Sequence, residues 1–412
     1  MSQHRDSFSR LRGRLFSTVK GEIDLRFDVG EPGRSALPSG TLVTERREAQ
    51  KLLSLAGAVD ALMRVIRPVP SCEVNLRDAE GFVLAEPVIA ATDVPRARTA
   101  LRDGYAVRAC DTVGASSFNP VYLNKPPVMV AAGDTLPVGC NAVLPVDALS
   151  LENGVVEICQ CIAPSESTRL PGGDAAQAAV LRNGGERVRS IDIACGLAAG
   201  VETCAVRQLR TRLLVAPESN ETLCTLVATL LRRAGSLVSA PSGFGGRADL
   251  AAALGEPGAD LIVVIGGSGF WRSDVRSSSV AGVGALIAYG LAVRPGEAGG
   301  CGIVNEIPVL LIPSQMEAAL ALMLTVAQPC LSMYLAAAAE RPLHRGRVTR
   351  KIVSAVGMSD VALLRNVNGE LEPLAVADLS LSAIAAADAW IMIPPSSEGI
   401  AVGTVVEAQA LW

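Results

Sequence analysis

The sequence predicts an α/β fold combined with β-rich units. Strands alternate with helices over residues 212–340, and turn-rich, strand-rich segments occupy residues 95–175 and 345–412. Alternation of strand and helix is typical of a doubly wound, parallel sheet. The chain has 412 residues, which is too long for one ordinary domain and indicates about two to four.

The amino-terminal part of the chain changes character near residue 49. Residues 1–48 are polar and of mixed charge, which predicts a poorly ordered extension. Apolar residues then recur at helical spacing over residues 51–65, and Pro68 and Pro70 end the predicted helix. Residues 72–90 end in a short predicted strand at 88–89.

Residues 95–175 predict a small β domain with several hairpins. Glycines separate short apolar runs such as 128–131 and 155–158. The pattern becomes mixed again over 176–208, where Asp192 is positioned to cap a helix over 193–199 that Gly200 ends.

The central part carries the strand–helix alternation. Asn220 is positioned to cap a helix over 221–234, and the run at 261–265 has the composition of a strand buried on both faces. The strands predicted between residue 212 and the carboxyl terminus lie at 213–216, 261–265, 309–312, 348–353, 361–365, 390–393 and 404–408. Two further helices are predicted at 315–338 and 380–387.

One apolar stretch is long enough to span a bilayer. Residues 318–339 contain no charged side chain, but Thr325, Gln328, Pro329 and many alanines make the stretch only weakly apolar. Interfacial basic residues do not bracket it closely on both sides. We therefore expect a buried helix of an α/β domain and no membrane association.

The composition excludes several classes of function. Lys and Arg number 37 against 41 Asp and Glu, which gives a net charge of −4 and argues against nucleic acid as a partner. Two histidines, His4 and His344, nearly exclude a multi-histidine metal site or a histidine-based triad. Ten cysteines without a C-x-x-C pair favour a reduced, cytoplasmic setting.

The strongest local signal is a glycine-rich turn after the buried strand at 261–265. Gly266, Gly267, Ser268 and Gly269 would let backbone amides approach a phosphate closely, and Asp274 could hold a divalent cation beside it. A glycine-rich turn that has only a structural role is an equally good interpretation of the spacing.

Three further segments present charged residues at turns. Arg294 precedes Pro295 and Gly296, and could bind an oxyanion or simply be solvated. Asp103 lies in an Arg-Asp-Gly-Tyr turn that could be an Asx turn. Arg169 and Asp174 flank a Gly-Gly turn, where a structural ion pair is as good an interpretation as a site.

Taken in order along the chain, these segments resemble the molybdopterin molybdenumtransferase family, which includes the E domain of gephyrin. The resemblance runs from about residue 49 to the end, and the order of the motifs makes it more specific than any one of them. The matching segments are 102–108 with "MDGYAVR", 133–147 with "TGAPLPxGADAVVxxE", 169–174 with "RxxGED", 184–200 with "GTRLTPADIGLLASLG", 266–274 with "GGVSxGxxD", 293–296 with "MKPGKP", and 398–403 with "EGxxGLxAG".

The resemblance implies an elongated, multi-domain chain. Its parts would be a mixed domain I over 49–95 and 176–208, an inserted β domain II over 96–175, a MogA-like α/β domain III over 209–340 and a C-terminal β domain IV over 341–412. The family reaction inserts molybdate into adenylylated molybdopterin and releases AMP with Mg²⁺ as the divalent cation. The family is dimeric, and its active site combines the α/β domain of one chain with loops of the other.

The resemblance also assigns residues. Asp103, Asp174, Asp274 and Arg294 would be catalytic, and Asp274 and Asp174 would hold the metal. The residues that would bind the molybdopterin-type ligand are Ser219, Asn220, Gly266, Gly267, Ser268 and Arg169.

The sequence departs from the family pattern at the site. Glu297 stands where the second Lys of "KPGK" is expected, Trp271 replaces a glycine, and Ser314 replaces the glycine of "LPGNP". A carboxylate near a bound anion opposes binding. Two interpretations follow: a working enzyme, or a non-catalytic paralogue that pairs with an intact homologue or a molybdoenzyme. A gephyrin-type scaffold is a third, which the lack of a long partner-binding tail disfavours.

Overall fold

The computed structural model describes residues 52–152, 155–267, 274–338 and 343–411. By contact density the chain divides into residues Met1–Arg46 and Arg47–Trp412, and all described residues belong to the second unit. The extension expected over residues 1–48 lies outside the described residues, as do Ser268 and Trp271.

The first described segment forms one helix and three short strands. The helix starts where the side chain of Ser54 accepts a hydrogen bond from the Gly57 amide at 3.1 Å, and it ends before Pro68. These elements are α1 (Leu55–Met63), β1 (Ser71–Asn75), β2 (Val83–Leu84) and β3 (Val88–Ile89).

The placement of α1 differs from our expectation. We expected residues 49–95 to form one domain with 176–208, but Leu55, Ala58 and Leu62 pack in the same core as Leu213 and Val263 of the α/β sheet. The apolar face of α1 is complementary to that sheet, so the helix joins its core.

The next segment is built from short antiparallel strands, as its turn-rich sequence predicts. Its two larger sheets each have three strands, in the orders β7-β5-β8 and β6-β10-β9, while β4 pairs with β11 and β3 with β12. The strands are β4 (Thr99–Ala100), β5 (Gly104–Val107), β6 (Val121–Leu123), β7 (Val128–Val130), β8 (Ala142–Leu144), β9 (Leu149–Glu152), β10 (Val155–Ile158), β11 (Thr168–Arg169) and β12 (Val180–Arg182).

The chain then returns to the sheet that it left at β2. Helix α2 (Ser190–Ala198) is followed by β13 (Thr203–Arg207), which lies between β1 and β2. The expected start of the helix was wrong: it begins at Ser190, and Asp192 lies in its first turn. The Asp192 carboxylate accepts a hydrogen bond from the Arg189 amide at 2.9 Å, so it satisfies a free amide from inside the helix.

Residues 209–335 form the α/β sheet. Its strand order is β15-β14-β17-β21-β20-β18; the first four strands are parallel, and β20 and β18 add an antiparallel edge. The strands are β14 (Leu209–Val215), β15 (Ser236–Val238), β16 (Ser242–Gly243), β17 (Leu261–Ile265), β18 (Ala285–Tyr289), β19 (Val293–Arg294), β20 (Gly300–Val304) and β21 (Ile307–Ile312). The helices are α3 (Glu221–Arg233), α4 (Arg247–Gly255), α5 (Val275–Val283), α6 (Met316–Leu322) and α7 (Gln328–Leu335).

The apolar stretch near residue 320 is a core helix. A π-helical turn over Met323–Ala327 joins α6 to α7, so that Met316–Leu335 is continuous. This helix is long and apolar enough to cross a membrane, but 78% of its most apolar window is buried inside the protein. The buried helix expected from the sequence is the arrangement found.

The C-terminal segment forms a mainly antiparallel sheet of order β19-β24-β26-β28-β22, to which β19 contributes from the α/β segment. The strand expected at 348–353 was wrong, because residues on either side of Val348 pair with different partners. The elements are β22 (Leu343–Arg347), β23 (Ile352–Val353), β24 (Ser359–Val367), β25 (Glu370–Val376), α8 (Leu381–Ala386), β26 (Ala389–Ile393), β27 (Gly399–Ile400) and β28 (Val405–Ala410).

Candidate functional site

Several polar loops meet where three parallel strands end. Strands β14, β17 and β21 run side by side, and the Ala216 amide donates to the Ile265 carbonyl at 2.8 Å while the Gly266 amide donates to the Ile312 carbonyl at 3.0 Å. In open α/β sheets ligands bind outside the carboxyl ends of such strands. This edge of the sheet is therefore the candidate site.

Two positions in the glycine-rich turn require glycine. Gly266 has φ 147° and Gly267 has φ 70°. A Cβ on Gly266 would overlap the methyl group of Ala216, and a Cβ on Gly267 would lie 2.6 Å from Nη2 of Arg276. The backbone of this turn is accordingly packed against its neighbours with no room for a side chain.

The first loop brings two more of the expected residues to the same place. Ser219 Oγ donates to the Ile265 carbonyl at 3.4 Å, and Asn220 Oδ1 accepts from the Thr222 amide at 2.8 Å, which caps α3 as the sequence predicts. Ser219, Asn220, Gly266 and Gly267 thus lie together at the start of α3, where helix amides favour an anion.

A carboxylate already contacts this turn. Oε1 of Glu218 accepts a hydrogen bond from the Gly267 amide at 3.2 Å. The sequence interpretation did not single out Glu218, although its position directly before Ser219 and Asn220 was the available signal. An incoming anion that used the Gly267 amide would have to displace this side chain.

Asp274 lies beyond the glycine-rich turn and caps α5. Its side chain accepts from the Arg276 amide at 3.0 Å, and it forms an ion pair with the Arg276 guanidinium, whose Nη2 lies 2.6 Å from Oδ2. The Tyr289 hydroxyl also donates to Oδ2. Arg276 and Asp274 have side chains only 1% and 4% exposed, so this is a buried, fully hydrogen-bonded pair.

The surroundings lower the pKa of the Asp274 carboxyl. Burial by itself would raise that pKa, but the hydrogen bonds and charge of Arg276, together with the Tyr289 hydroxyl, outweigh burial. The same environment raises the pKa of Tyr289 above its ordinary value, chiefly through burial. The carboxylate is thereby held ionised and the phenol neutral.

The residues expected to hold Mg²⁺ do not fit a divalent cation. Asp274 is engaged by Arg276 and Tyr289, and the Asp174 carboxylate lies 2.6 Å from Nη1 of Arg169. Within the described ranges there is no group of three or more His, Cys, Asp or Glu side chains that could hold a metal ion. Each expected ligand is instead paired with its own arginine.

Arg294 lies where the α/β segment meets the C-terminal sheet. Its Nε and Nη2 donate to the two carboxylate oxygens of Asp360 at 2.7 and 2.6 Å, and Ser354 Oγ donates to Asp360 Oδ2 at 2.7 Å. The hydrogen bond to Asp360 raises the pKa of Arg294. Two donors of the guanidinium are therefore committed, although the Arg294 side chain is still 30% exposed.

Glu297, the departure from the family pattern, contacts its own turn. Its Oε2 accepts a hydrogen bond from the Gly296 amide at 3.0 Å. A second carboxylate thus accepts the hydrogen bond of a loop amide close in sequence to Arg294, which was expected to bind an anion.

The remaining expected residues lie in the β segment. Asp103 Oδ1 accepts from the Ala132 amide at 2.8 Å, and Arg169 and Asp174 form the ion pair that the sequence left open as a structural alternative. These three make their contacts within residues 99–174, apart from the glycine-rich turn. The sequence interpretation did not identify the partners of Asp274 and Arg294, which are Arg276, Tyr289 and Asp360. Nothing in the local sequence of these partners indicates a buried charged or hydrogen-bonded contact.

Comparison with known proteins gives consistent similarities. Residues 48–200 match the family model described as the MoeA N-terminal region, domain I and II, and residues 379–411 match the MoeA C-terminal region, domain IV. The chain is 27% identical over 334 residues to molybdopterin molybdenumtransferase 2 of Mycobacterium tuberculosis, covering 70% of this chain and 81% of that protein.

A molybdopterin molybdenumtransferase of Haemophilus influenzae is 23% identical over 329 residues, covering 71% of this chain and 80% of that protein. The crystal structure of a molybdopterin biosynthesis protein from Pyrococcus horikoshii superposes with a TM-score of 0.66 at 20% identity, covering 87% of this chain and all of that one. That likeness shows a shared fold.

Proposed function

The chain belongs to the MoeA family of molybdenum cofactor biosynthesis proteins, and from that premise we propose that it inserts molybdate into adenylylated molybdopterin and releases AMP. The observation that carries the proposal is the meeting of Ser219, Asn220, Gly266 and Gly267 at the carboxyl ends of parallel strands. Helix α3 and the glycine turn offer backbone amides to the phosphates of such a nucleotide.

The proposed reaction combines cleavage of an anhydride bond with exchange of oxygen for sulfur at molybdenum. Water cleaves the phosphoanhydride bond between the pterin phosphate and AMP, which gives two phosphate monoesters and releases two protons. The two dithiol sulfurs replace two oxygens of molybdate, and these oxygens leave as two waters that carry the two thiol protons and the two protons from the hydrolysis. Both substrates are anions, so a site built from backbone amides is chemically suited to them. We propose that the reaction takes place in the cytoplasm, in keeping with a reduced set of cysteines, all ten of which are free.

AMP release tests the proposal directly. The purified chain is incubated with molybdate and adenylylated molybdopterin, and AMP is quantified by chromatography. Ser219→Ala should reduce AMP release, while Thr229→Ala, which removes an exposed hydroxyl from the same helix, should not. If the wild-type chain binds AMP but releases none from the adenylylated substrate, catalysis by this chain is ruled out.

We propose further that the active site is shared between two chains in a homodimer. Asp103, Arg169 and Asp174 lie in the β segment of the same chain, apart from the glycine turn, and a second chain would supply them. Mixing Ser219→Ala with Asp174→Asn should then restore AMP release above either variant alone, because one shared site of the mixed dimer is intact. A monomer by light scattering would contradict this arrangement.

One observation favours the alternative of a binding paralogue without turnover. The carboxylates of Glu218 and Glu297 accept hydrogen bonds from amides of the two loops that the resemblance assigns to anion binding, at 3.2 and 3.0 Å. Under this alternative the chain binds molybdopterin and pairs with an intact homologue or a molybdoenzyme. Co-expression with such a homologue, followed by size-exclusion chromatography and mass analysis, should yield a mixed dimer.

A further inference from the structure

The buried ion pair beside the glycine-rich turn uses the carboxylate oxygens that a metal ion would have to coordinate. Nε of Arg276 lies 3.0 and 3.1 Å from the two oxygens of Asp274, and Nη2 lies 2.6 Å from Oδ2. The Arg276 amide and the Tyr289 hydroxyl add two more donors to the same carboxylate. Both oxygens are therefore saturated by donors from the protein itself.

The guanidinium is fixed by contacts on its other sides as well. Nη1 donates to the carbonyl of Ile312 at 2.9 Å, Nη2 lies 3.3 Å from the Tyr289 hydroxyl, and the guanidinium carbon lies 5.7 Å from the centre of the Tyr289 ring. With 1% of its side chain exposed, Arg276 is held at the end of β21. Moving it away would leave buried donors and a buried carboxylate unpaired.

The ion pair lies directly behind the backbone of the turn. A Cβ built on Gly267 would come closest to Oδ2 of Asp274 and would lie 2.6 Å from Nη2 of Arg276, so glycine is the residue that allows the pair to approach. The guanidinium offsets the carboxylate beside the amides of Gly266 and Gly267, so that an anion bound there meets no uncompensated negative charge from Asp274.

We propose that Arg276 is the resident cation of this site: it holds Asp274 in the place of a divalent cation, and the glycine turn binds its anionic ligand without a metal ion at Asp274. The inference rests on the proposed function for the identity of that ligand as a nucleotide-type anion. Arg276 acts through the turn and is thus a positioning residue.

Metal binding is tested first, with Mn²⁺ as the probe. Electron paramagnetic resonance of the wild-type chain titrated with Mn²⁺ should give the same binding curve as Asp274→Asn. A wild-type Mn²⁺ site that disappears in Asp274→Asn would overturn the inference. This measurement requires no ligand and stands whether or not the proposed function is correct.

Ligand binding is tested with AMP by calorimetry. The wild-type dissociation constant should change by less than about twofold between EDTA and excess Mg²⁺. AMP binding that appears only with Mg²⁺ would overturn the inference. If AMP binds under neither condition, the proposed function fails, while the Mn²⁺ experiment still decides the inference.

The role of the charge is tested in a background that lacks the carboxylate. Adding Arg276→Met to Asp274→Asn should weaken AMP binding by about tenfold, because the positive charge is lost while the carboxylate is already neutral. The matched comparison adds Arg365→Met to Glu372→Gln, which neutralises an exposed pair of the C-terminal sheet and should leave AMP binding unchanged. Equal AMP affinities of Asp274→Asn with and without Arg276→Met, in folded proteins, would contradict a charge contribution from Arg276.

Discussion

The guanidinium of Arg294 donates two parallel hydrogen bonds to the carboxylate of Asp360, at 2.7 and 2.6 Å, across 66 positions of the chain. Asp360 is fully buried, and the two residues lie opposite each other where β19 joins β24. This pair ties β19, which follows β18 of the α/β segment, to the C-terminal sheet.

Removing one member of that pair should destabilise the protein. Arg294→Met or Asp360→Asn should each lower the free energy of unfolding by about 3 kcal/mol, because the partner is left without its hydrogen bonds. The double variant should cost less than the sum of the two. Urea denaturation measures these changes, with Arg365→Met as the exposed-pair control, expected to cost less than about 1 kcal/mol.

The same variants test the role assigned to Arg294 by resemblance. An unchanged unfolding midpoint in Arg294→Met, combined with loss of AMP or molybdate binding, would show that the arginine binds the ligand and does not chiefly join the two sheets.

Replacing Gly267 by alanine should damage the site. Its φ of 70° and the nearby Arg276 guanidinium leave no place for a methyl group, so Gly267→Ala should lower the free energy of unfolding by about 1–3 kcal/mol and weaken AMP binding. Thermal unfolding and calorimetry measure the two effects. Gly255→Ala is the control, since open space surrounds Gly255 at the end of α4; equal behaviour of the two variants would refute the packing argument.

Reversing the charge of Glu297 should strengthen anion binding. Glu297→Lys removes the carboxylate that accepts from the Gly296 amide and adds a cation, so AMP should bind about tenfold more tightly at low salt, and the gain should shrink as salt rises. Calorimetry at two ionic strengths measures this. Glu370→Lys, on an exposed position of β25, controls for net charge; if it has the same effect, Glu297 does not face the ligand.

Asp192 should make stability depend on pH. The hydrogen bond from the Arg189 side chain lowers the pKa of its carboxyl in the folded state. A lowered folded pKa contributes stability that is complete above the unfolded pKa of about 3.9 and is lost as pH falls through the folded value. Asp192→Asn should therefore cost about 1 kcal/mol at pH 7 and almost nothing near pH 2.

Thermal unfolding from pH 7 to pH 2 compares this variant with Asp60→Asn, which changes an exposed carboxylate on α1. A pH-independent difference between wild type and Asp192→Asn would mean that the ionised carboxylate does not stabilise the start of α2.

Local physics was sufficient to predict much of the fold. The cap at Asn220, the strand at Leu261–Ile265 and the buried helix near residue 320 follow from side-chain type and spacing within a few residues. The glycine-rich turn is also a feature that the sequence predicts. Its glycines are required because φ is 147° at Gly266 and 70° at Gly267, and because close contacts at both positions exclude a side chain. The order of the motifs along the chain also indicates the resemblance to the molybdopterin molybdenumtransferase family.

The partners of the charged residues were decided by the tertiary structure alone. Asp274 looked like a metal ligand in the sequence, but the fold places Arg276 and Tyr289 on its two oxygens; Arg294 looked like an anion ligand, but it meets Asp360. A charged side chain has the same chemistry in every sequence context, and only the folded arrangement determines which opposite charge or ligand satisfies it. For this protein, the sequence determined where a site could form, and the tertiary structure determined which of its charges remain available to a ligand.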